Sequence, residues 1–273
     1  MKAFAILSLK GGVGKTTLAA NLSTALSLMG RRVLLVDLDP LHDLTYSFGI
    51  NAIETRGVEF LLEKDLKFED VMVPLSENLH IIPAGKKLKD LELSLANMFV
   101  KAKDTYFCYL LRNVLEPLED RYDYVFIDCP PYAGFVTINA LVYAQNILMP
   151  VQCQHLGLES TKKTVSLISR VRKFNGLPRR ELTVIPTMYD VRNRLSDQVI
   201  DRLNTMFPDA LTGTRIRVNV ALAEAPGFGK TIFEHQPDSH GAEDFRRLAD
   251  EIAEKFENDA IPALPLAYVQ ALP

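Results

Sequence analysis

Residues 8–17 read Ser8-Leu9-Lys10-Gly11-Gly12-Val13-Gly14-Lys15-Thr16-Thr17, with three glycines in four positions. An apolar run, Phe4-Ala5-Ile6-Leu7, precedes them, and Leu18, Leu22, Ala25 and Met29 follow on one helical face. Strand, glycine loop, helix is an order that few folds other than a layered α/β sheet accommodate. With so few side chains in the way, the backbone N–H groups of Gly11, Gly12, Val13 and Gly14 can close on an anion. The helix that starts near Lys15 adds unpaired N–H groups and the positive end of its dipole. In such a loop Lys15 lies on the β- and γ-phosphates of a nucleotide, and the Thr16 hydroxyl ligates Mg²⁺. Thr17 completes the phosphate-binding set.

Two further strands end in carboxylates. Val33-Leu34-Leu35-Val36 is a continuous apolar run of the kind a buried parallel strand shows, and it delivers Asp37-Leu38-Asp39-Pro40. Alternation puts Asp37 and Asp39 on one side of that segment, at the strand end where open α/β sheets bind ligands. Tyr124-Val125-Phe126-Ile127-Asp128 repeats the pattern, and Asp128 reads as the carboxylate that holds a water on Mg²⁺. Leu79–Pro83, Ile147–Gln152 and Leu182–Met188 add strands. The implied fold class is α/β: a doubly wound, mostly parallel sheet with helices on both faces.

The rest of the chain narrows the setting. With 48% hydrophobic residues in 273 and no stretch of about 18 apolar residues, a core is affordable and a membrane span is not expected. No basic-then-apolar leader opens the sequence, which points to the cytoplasm. Cys108, Cys129 and Cys153 lack metal-ligand spacing and fit buried thiols in a reducing compartment. A net charge of −3 leaves nucleic-acid binding to a local basic face.

The loop also departs from the common phosphate-binding pattern, with Leu9 where glycine is usual and an additional Lys10. Lys-Gly-Gly-Val-Gly-Lys-Thr-Thr resembles the deviant phosphate loop of the ParA/MinD family of P-loop ATPases. Asn139-Ala140-Leu141, Thr187-Met188-Tyr189-Asp190 and the stretch from Asn219 to Ile232 are similar to ParA segments in the same order. The resemblance implies ATP and Mg²⁺ as cofactors, a sandwich homodimer on ATP binding, and Lys10 reaching the partner's nucleotide. It implies that Asp39 orients the attacking water, that Asp37 supports the Mg²⁺ shell, that backbone around Val218 and Asn219 borders the adenine, and that Met188 belongs to the nucleotide-binding set. It places non-specific DNA contact at Arg192, joined by Arg194, Arg215, Arg217 and Lys230. A slow ATPase stimulated by a ParB-like activator or cargo adaptor follows, positioning a plasmid, a chromosome origin or a protein assembly. In its ATP state it would sit on the nucleoid. Two alternatives are a MinD-like membrane-patterning ATPase and a slowly hydrolysing regulatory scaffold. The first wants a basic amphipathic tail, and the chain beyond Ala260 has no lysine or arginine.

Two departures from ParA stand out. Where that pattern continues Asp-Pro-Gln-Gly-Asn-Ala-Thr, this chain reads Asp39-Pro40-Leu41-His42-Asp43-Leu44-Thr45. Either His42 or Asp43 tunes hydrolysis, or the glycine-free loop simply takes another turn. Near the end, Arg217-Val218 replaces Pro-Arg, and Ala221 replaces an arginine. The expected organisation is a single domain over residues 1–258 and a proline-containing tail over 259–273. Residues 54–78 are expected as short helical pieces and 85–118 as a long helical region. Within a helix over 159–175, Lys162, Lys163, Arg170, Arg172 and Lys173 are expected outward.

Overall fold

Parallel strands buried on both faces carry the molecule. The computed structural model describes residues 1–102, 105–154, 157–177 and 181–257. Its strands are β1 (Lys2–Ile6), β2 (Val33–Asp37), β3 (Val73–Ser76), β4 (Leu79–Ile82), β5 (Tyr124–Asp128), β6 (Asn146–Gln152) and β7 (Glu181–Thr187). They form one sheet in the order β3-β4-β2-β5-β1-β6-β7, parallel throughout except for β3 against β4.

Alternation along the strands feeds two cores. Ala3, Ala5, Leu34, Val36, Val125 and Ile127 face one side. There they meet α5 (Leu88–Ala102), α6 (Leu110–Leu115), α7 (Phe135–Tyr143) and α8 (Gly157–Phe174). Phe4, Ile6, Leu35 and Phe126 face the other side, under α1 (Lys15–Leu28), α11 (Ile232–His235) and α12 (His240–Glu257). A smaller cluster packs α9 (Arg194–Met206) on β6 and β7. The chain leaves β1 towards β2 on one side and returns from β5 to β6 on the other, so the strand order reverses around β1. In such sheets ligands bind at the strand C-termini where this reversal opens a crevice.

Three expectations change. Residues 54–78 hold α3 (Val58–Leu62) and α4 (Phe68–Val71) but end in the strand β3. Its alternation of half-buried Val73 and Leu75 with exposed Pro74 and Ser76 is too short to read, and Pro74 is tolerated because β3 is an edge. The helical region towards Leu118 is broken: after α5 come a 3₁₀ turn at Thr105–Cys108, α6, and a second 3₁₀ turn at Glu116–Leu118. Pro117, without an N–H, fits the start of that last turn. Finally, Arg172 is 7% exposed rather than outward, because it follows Thr164 and Ile168 at intervals of four on the inner stripe of α8. The expected tail, 259–273, lies outside the described residues.

Candidate functional site

The glycine loop joins β1 to α1 at the reversal point. Gly12 (φ 71°) and Gly14 (φ 89°) take the left-handed backbone that a Cβ disfavours, and the space beside Gly11, Gly12 and Gly14 is open. Gly14 is the N-cap of α1; no side chain caps this helix and no acidic residue occupies its first turn. Bare N–H groups at a helix N-terminus therefore face the loop's hollow. Tertiary bonds fix the loop: Thr187 Oγ1 donates to the Val13 carbonyl (2.8 Å), and Leu9 N donates to Thr164 Oγ1 (3.1 Å). Lys15 is 7% exposed. Lys10 Nζ donates to Gln152 Oε1 at 2.8 Å.

Strand register brings the carboxylates together. Asp128 is paired with Ile6 of β1 and with Asp37 of β2, so the two acids stand side by side on neighbouring strands, both fully buried. Burial pushes Asp37 up to about 7, against the bonds from Thr45 and Asp39 that favour its charged form. Burial and the neighbouring Asp37 raise Asp128 well above the usual carboxylate range. Asp128 Oδ2 accepts from Thr16 Oγ1 (2.7 Å), whereas the buried Oδ1 has no partner. An orphaned carboxylate oxygen beside a hydroxyl and a bare helix N-terminus suits a hard cation that also takes phosphate oxygens and water. Among the described residues no three or more His, Cys, Asp or Glu side chains converge as a closed metal cage.

Asp37 has other work in this structure. Its Oδ2 accepts from Thr45 N (2.9 Å) and Thr45 Oγ1 (2.7 Å), and its Oδ1 accepts from Asp39 N (3.0 Å). Thr45 Oγ1 in turn accepts from Ala84 N (3.0 Å). Asp37 and Thr45 thus hold the loop that carries Asp39, a role for Thr45 that the sequence reading missed. Asp39 is 5% exposed and accepts from Leu41 N (3.0 Å). His42 heads α2 (Asp43–Ser47) at φ 62° and ψ 22°, in the left-handed conformation that glycine, the ParA residue here, adopts freely. The loop keeps a glycine's backbone without a glycine.

Beside the glycine loop opens a cavity of about 360 Å³. Val13, Gly14 and Thr17 line it from the loop, Met188 from the end of β7, and Val218 and Asn219 from the segment before α10 (Val220–Glu224). Met188, Val218 and Asn219, far apart in the sequence, line the same cavity. Val218 N donates to Tyr189 O (3.0 Å), which ties its wall to the residues just after β7. The expected cations divide. Arg192 is 86% exposed and leans on Asp190 (3.1 Å); Arg194 and Lys230 are exposed. Arg215 lies over the Tyr189 ring (4.7 Å) and 3.7 Å from Asp197. Arg217 is held by the buried Asp244 (2.6 Å) and by Glu243 (2.8 Å), and it lines the cavity. Among the described residues no helix is long and apolar enough to cross a membrane.

Residues 1–182 match a protein family described as an AAA domain. The chain is 37% identical over 254 residues to the sporulation initiation inhibitor protein Soj of Bacillus subtilis, covering 92% of this chain and 98% of that protein. It is 37% identical over 257 residues to the chromosome-partitioning ATPase Soj of Thermus thermophilus, covering 94% and 97%. Among solved structures, cobyrinic acid a,c-diamide synthase from Mycobacterium smegmatis, with an ATP analogue and magnesium, superposes with a TM-score of 0.80. There the identity is 28%, with 97% of this chain and all of that one covered.

Proposed function

The chain belongs to the ParA/MinD-type P-loop ATPases, and from that premise we propose that it is a ParA-like partitioning ATPase that works as an ATP-gated homodimer on DNA. ATP would lay its phosphates in the glycine loop against Lys15 and the start of α1, with its base in the 360 Å³ cavity lined by Met188, Val218 and Asn219. Thr16 and Asp128 would hold Mg²⁺, which neutralises charge on the β- and γ-phosphates when bound. Asp37 would act mainly through Thr45, keeping the loop of Asp39 in place, and Asp39 would orient the attacking water. Lys10 would leave Gln152 to reach the partner subunit's triphosphate, where a second cation stabilises the charge of the transferring group. Arg192, Arg194 and Lys230, with Arg215 beside them, would contact DNA phosphates without reading sequence. A ParB-like partner or cargo adaptor would speed hydrolysis and reset the cycle.

The unpaired Asp128 Oδ1, buried next to Thr16 at a bare helix N-terminus, is the observation that carries this reading. Three proteins test it: wild type, Lys15→Ala and Asp39→Ala, each assayed for ATP binding, dimer formation and turnover with and without DNA. Lys15→Ala should lose nucleotide binding, and Asp39→Ala should keep ATP and accumulate as a DNA-bound dimer. Normal turnover in either variant contradicts the assignment.

A further inference from the structure

Gln152 closes β6 between two groups that the site needs, Lys10 and Met188. Its Oε1 accepts from Lys10 Nζ at 2.8 Å, and its Nε2 donates to Met188 Sδ at 3.1 Å. We propose that Gln152 is a positioning residue that holds Lys10 on its own subunit until the neighbouring cavity is filled by a purine base. The proposal rests on the dimer reading above.

The chemistry of the three groups fixes the arrangement. An ammonium only donates, so the amide must turn its oxygen to Lys10, which leaves its NH₂ for the thioether sulfur, a weak acceptor. Met188 cannot drift far from this position: its backbone is left-handed (φ 50°), and the preceding Thr187 is bonded to the glycine loop through the Val13 carbonyl. Met188 lines the 360 Å³ cavity. On the other side, Leu9 N is bonded to Thr164 of α8, so Lys10 leaves Gln152 by a side-chain swing and not by a shift of the loop.

A purine ring in the cavity meets a polarisable sulfur, and sulfur–ring contact competes with the weak N–H···S bond. Once the sulfur turns to the ring, the amide keeps one restraint of two and its grip on the ammonium loosens. Base binding in one subunit thereby frees the lysine that the other subunit requires, and by reciprocity dimerisation tightens base binding. Nucleotide loading then precedes closure of the pair.

The test uses the full chain with Mg²⁺ and a non-hydrolysable ATP analogue, read by sedimentation velocity across protein concentration. Gln152→Leu should dimerise at about three- to tenfold lower concentration, because a hydrogen bond to a charged group is removed from the monomer. Gln152→Glu should need at least about tenfold more protein, since a carboxylate grips the ammonium more strongly than an amide does. Opposite shifts from one position are not what a merely loosened fold gives. A wild type that dimerises while both variants follow its curve overturns the role of Gln152 and leaves the dimer reading intact. A wild type that stays monomeric with saturating analogue overturns both. The link to the cavity is read with adenosine, which carries no phosphate. It should move the NMR resonance of ¹³C-dimethylated Lys10 in wild type and not in Gln152→Leu. A wild-type resonance that ignores adenosine sinks the link.

Discussion

At φ 62° His42 occupies a conformation that costs an L-residue roughly 1–2 kcal/mol, and its buried Nδ1 has no partner. Its ring meets Tyr46 edge-on at 6.2 Å, which returns part of that cost. His42→Gly should therefore raise stability by up to about 1 kcal/mol, seen as a higher urea midpoint, after the extra freedom of glycine in the unfolded chain is subtracted. A lower midpoint would show that the ring contact outweighs the backbone strain. Asp128 presents a larger imbalance. An acid whose folded pKa is raised binds its proton more tightly in the native state, so stability falls as pH rises through the window between the two values. For Asp37 that window runs from the ordinary 3.8 to about 7, and Asp128 adds to it in the same direction. Without nucleotide, Asp128→Asn should gain on the order of 1–3 kcal/mol at pH 7.5 and melt with a weaker pH dependence between 4 and 7. The same variant should lose hydrolysis. Equal melting curves for the two proteins would remove the buried charge as a liability.

Helices tie the site to its surroundings through side chains from other elements. The N-terminus of α7, which follows Asp128 and its loop, begins at Gly134, which offers no capping side chain. Glu92 of α5 supplies the cap, accepting from Phe135 N and from Val136 N (2.9 Å). A Cβ on Gly134 would collide with that carboxylate, so glycine is required for the approach. Glu92→Ala should cost about 1–2 kcal/mol, in the range of lost helix caps, and should speed amide exchange at Phe135 and Val136. Unchanged exchange at those two amides would show that the cap is dispensable. Nothing in the spacing of α5 announces this: Glu92 reads as a polar residue between Leu91 and Leu93. The helical character of α5 is legible in the chain, because the buried Leu88, Leu91 and Leu95 recur at the 3.6-residue period over two turns. The break after α5 is not, because the 3₁₀ turns that follow are too short to set a period.

The whole molecule is tied together where α12 meets the segment after α1. Glu257, at the end of α12, takes Arg31 in a two-pronged pair (2.7 and 2.8 Å) and accepts from Tyr124 Oη (2.7 Å). These bonds, chiefly that from Arg31, hold Glu257 down at about 2. A depressed carboxylate supplies stability above its ordinary pKa near 4.5 and loses it as pH falls towards about 2. Glu257→Gln should cost about 1–2 kcal/mol at neutral pH, and its melting temperature should fall less steeply than that of wild type between pH 4.5 and 2. Parallel acid profiles would assign the acid loss to other groups.

Sequence by itself determined the strands that end in function and the loop that opens the molecule. Glycines at 11, 12 and 14 before a helical pattern, and apolar runs ending in Asp37 and Asp128, are local signals: each depends on neighbours in the chain. Tertiary structure alone decided which of those groups meet. Register set Asp37 beside Asp128, the bridge between Tyr189 and Arg217 brought Met188 and Val218 to a cavity wall with Val13, and packing turned Arg217 towards Asp244. It also placed Gln152 between Lys10 and Met188, and Thr45 between Asp37 and Ala84. The physical reason is range. Backbone preference and hydrophobic period act over a few residues, whereas hydrogen bonds between side chains far apart in the chain exist only once the sheet has brought its strand ends together.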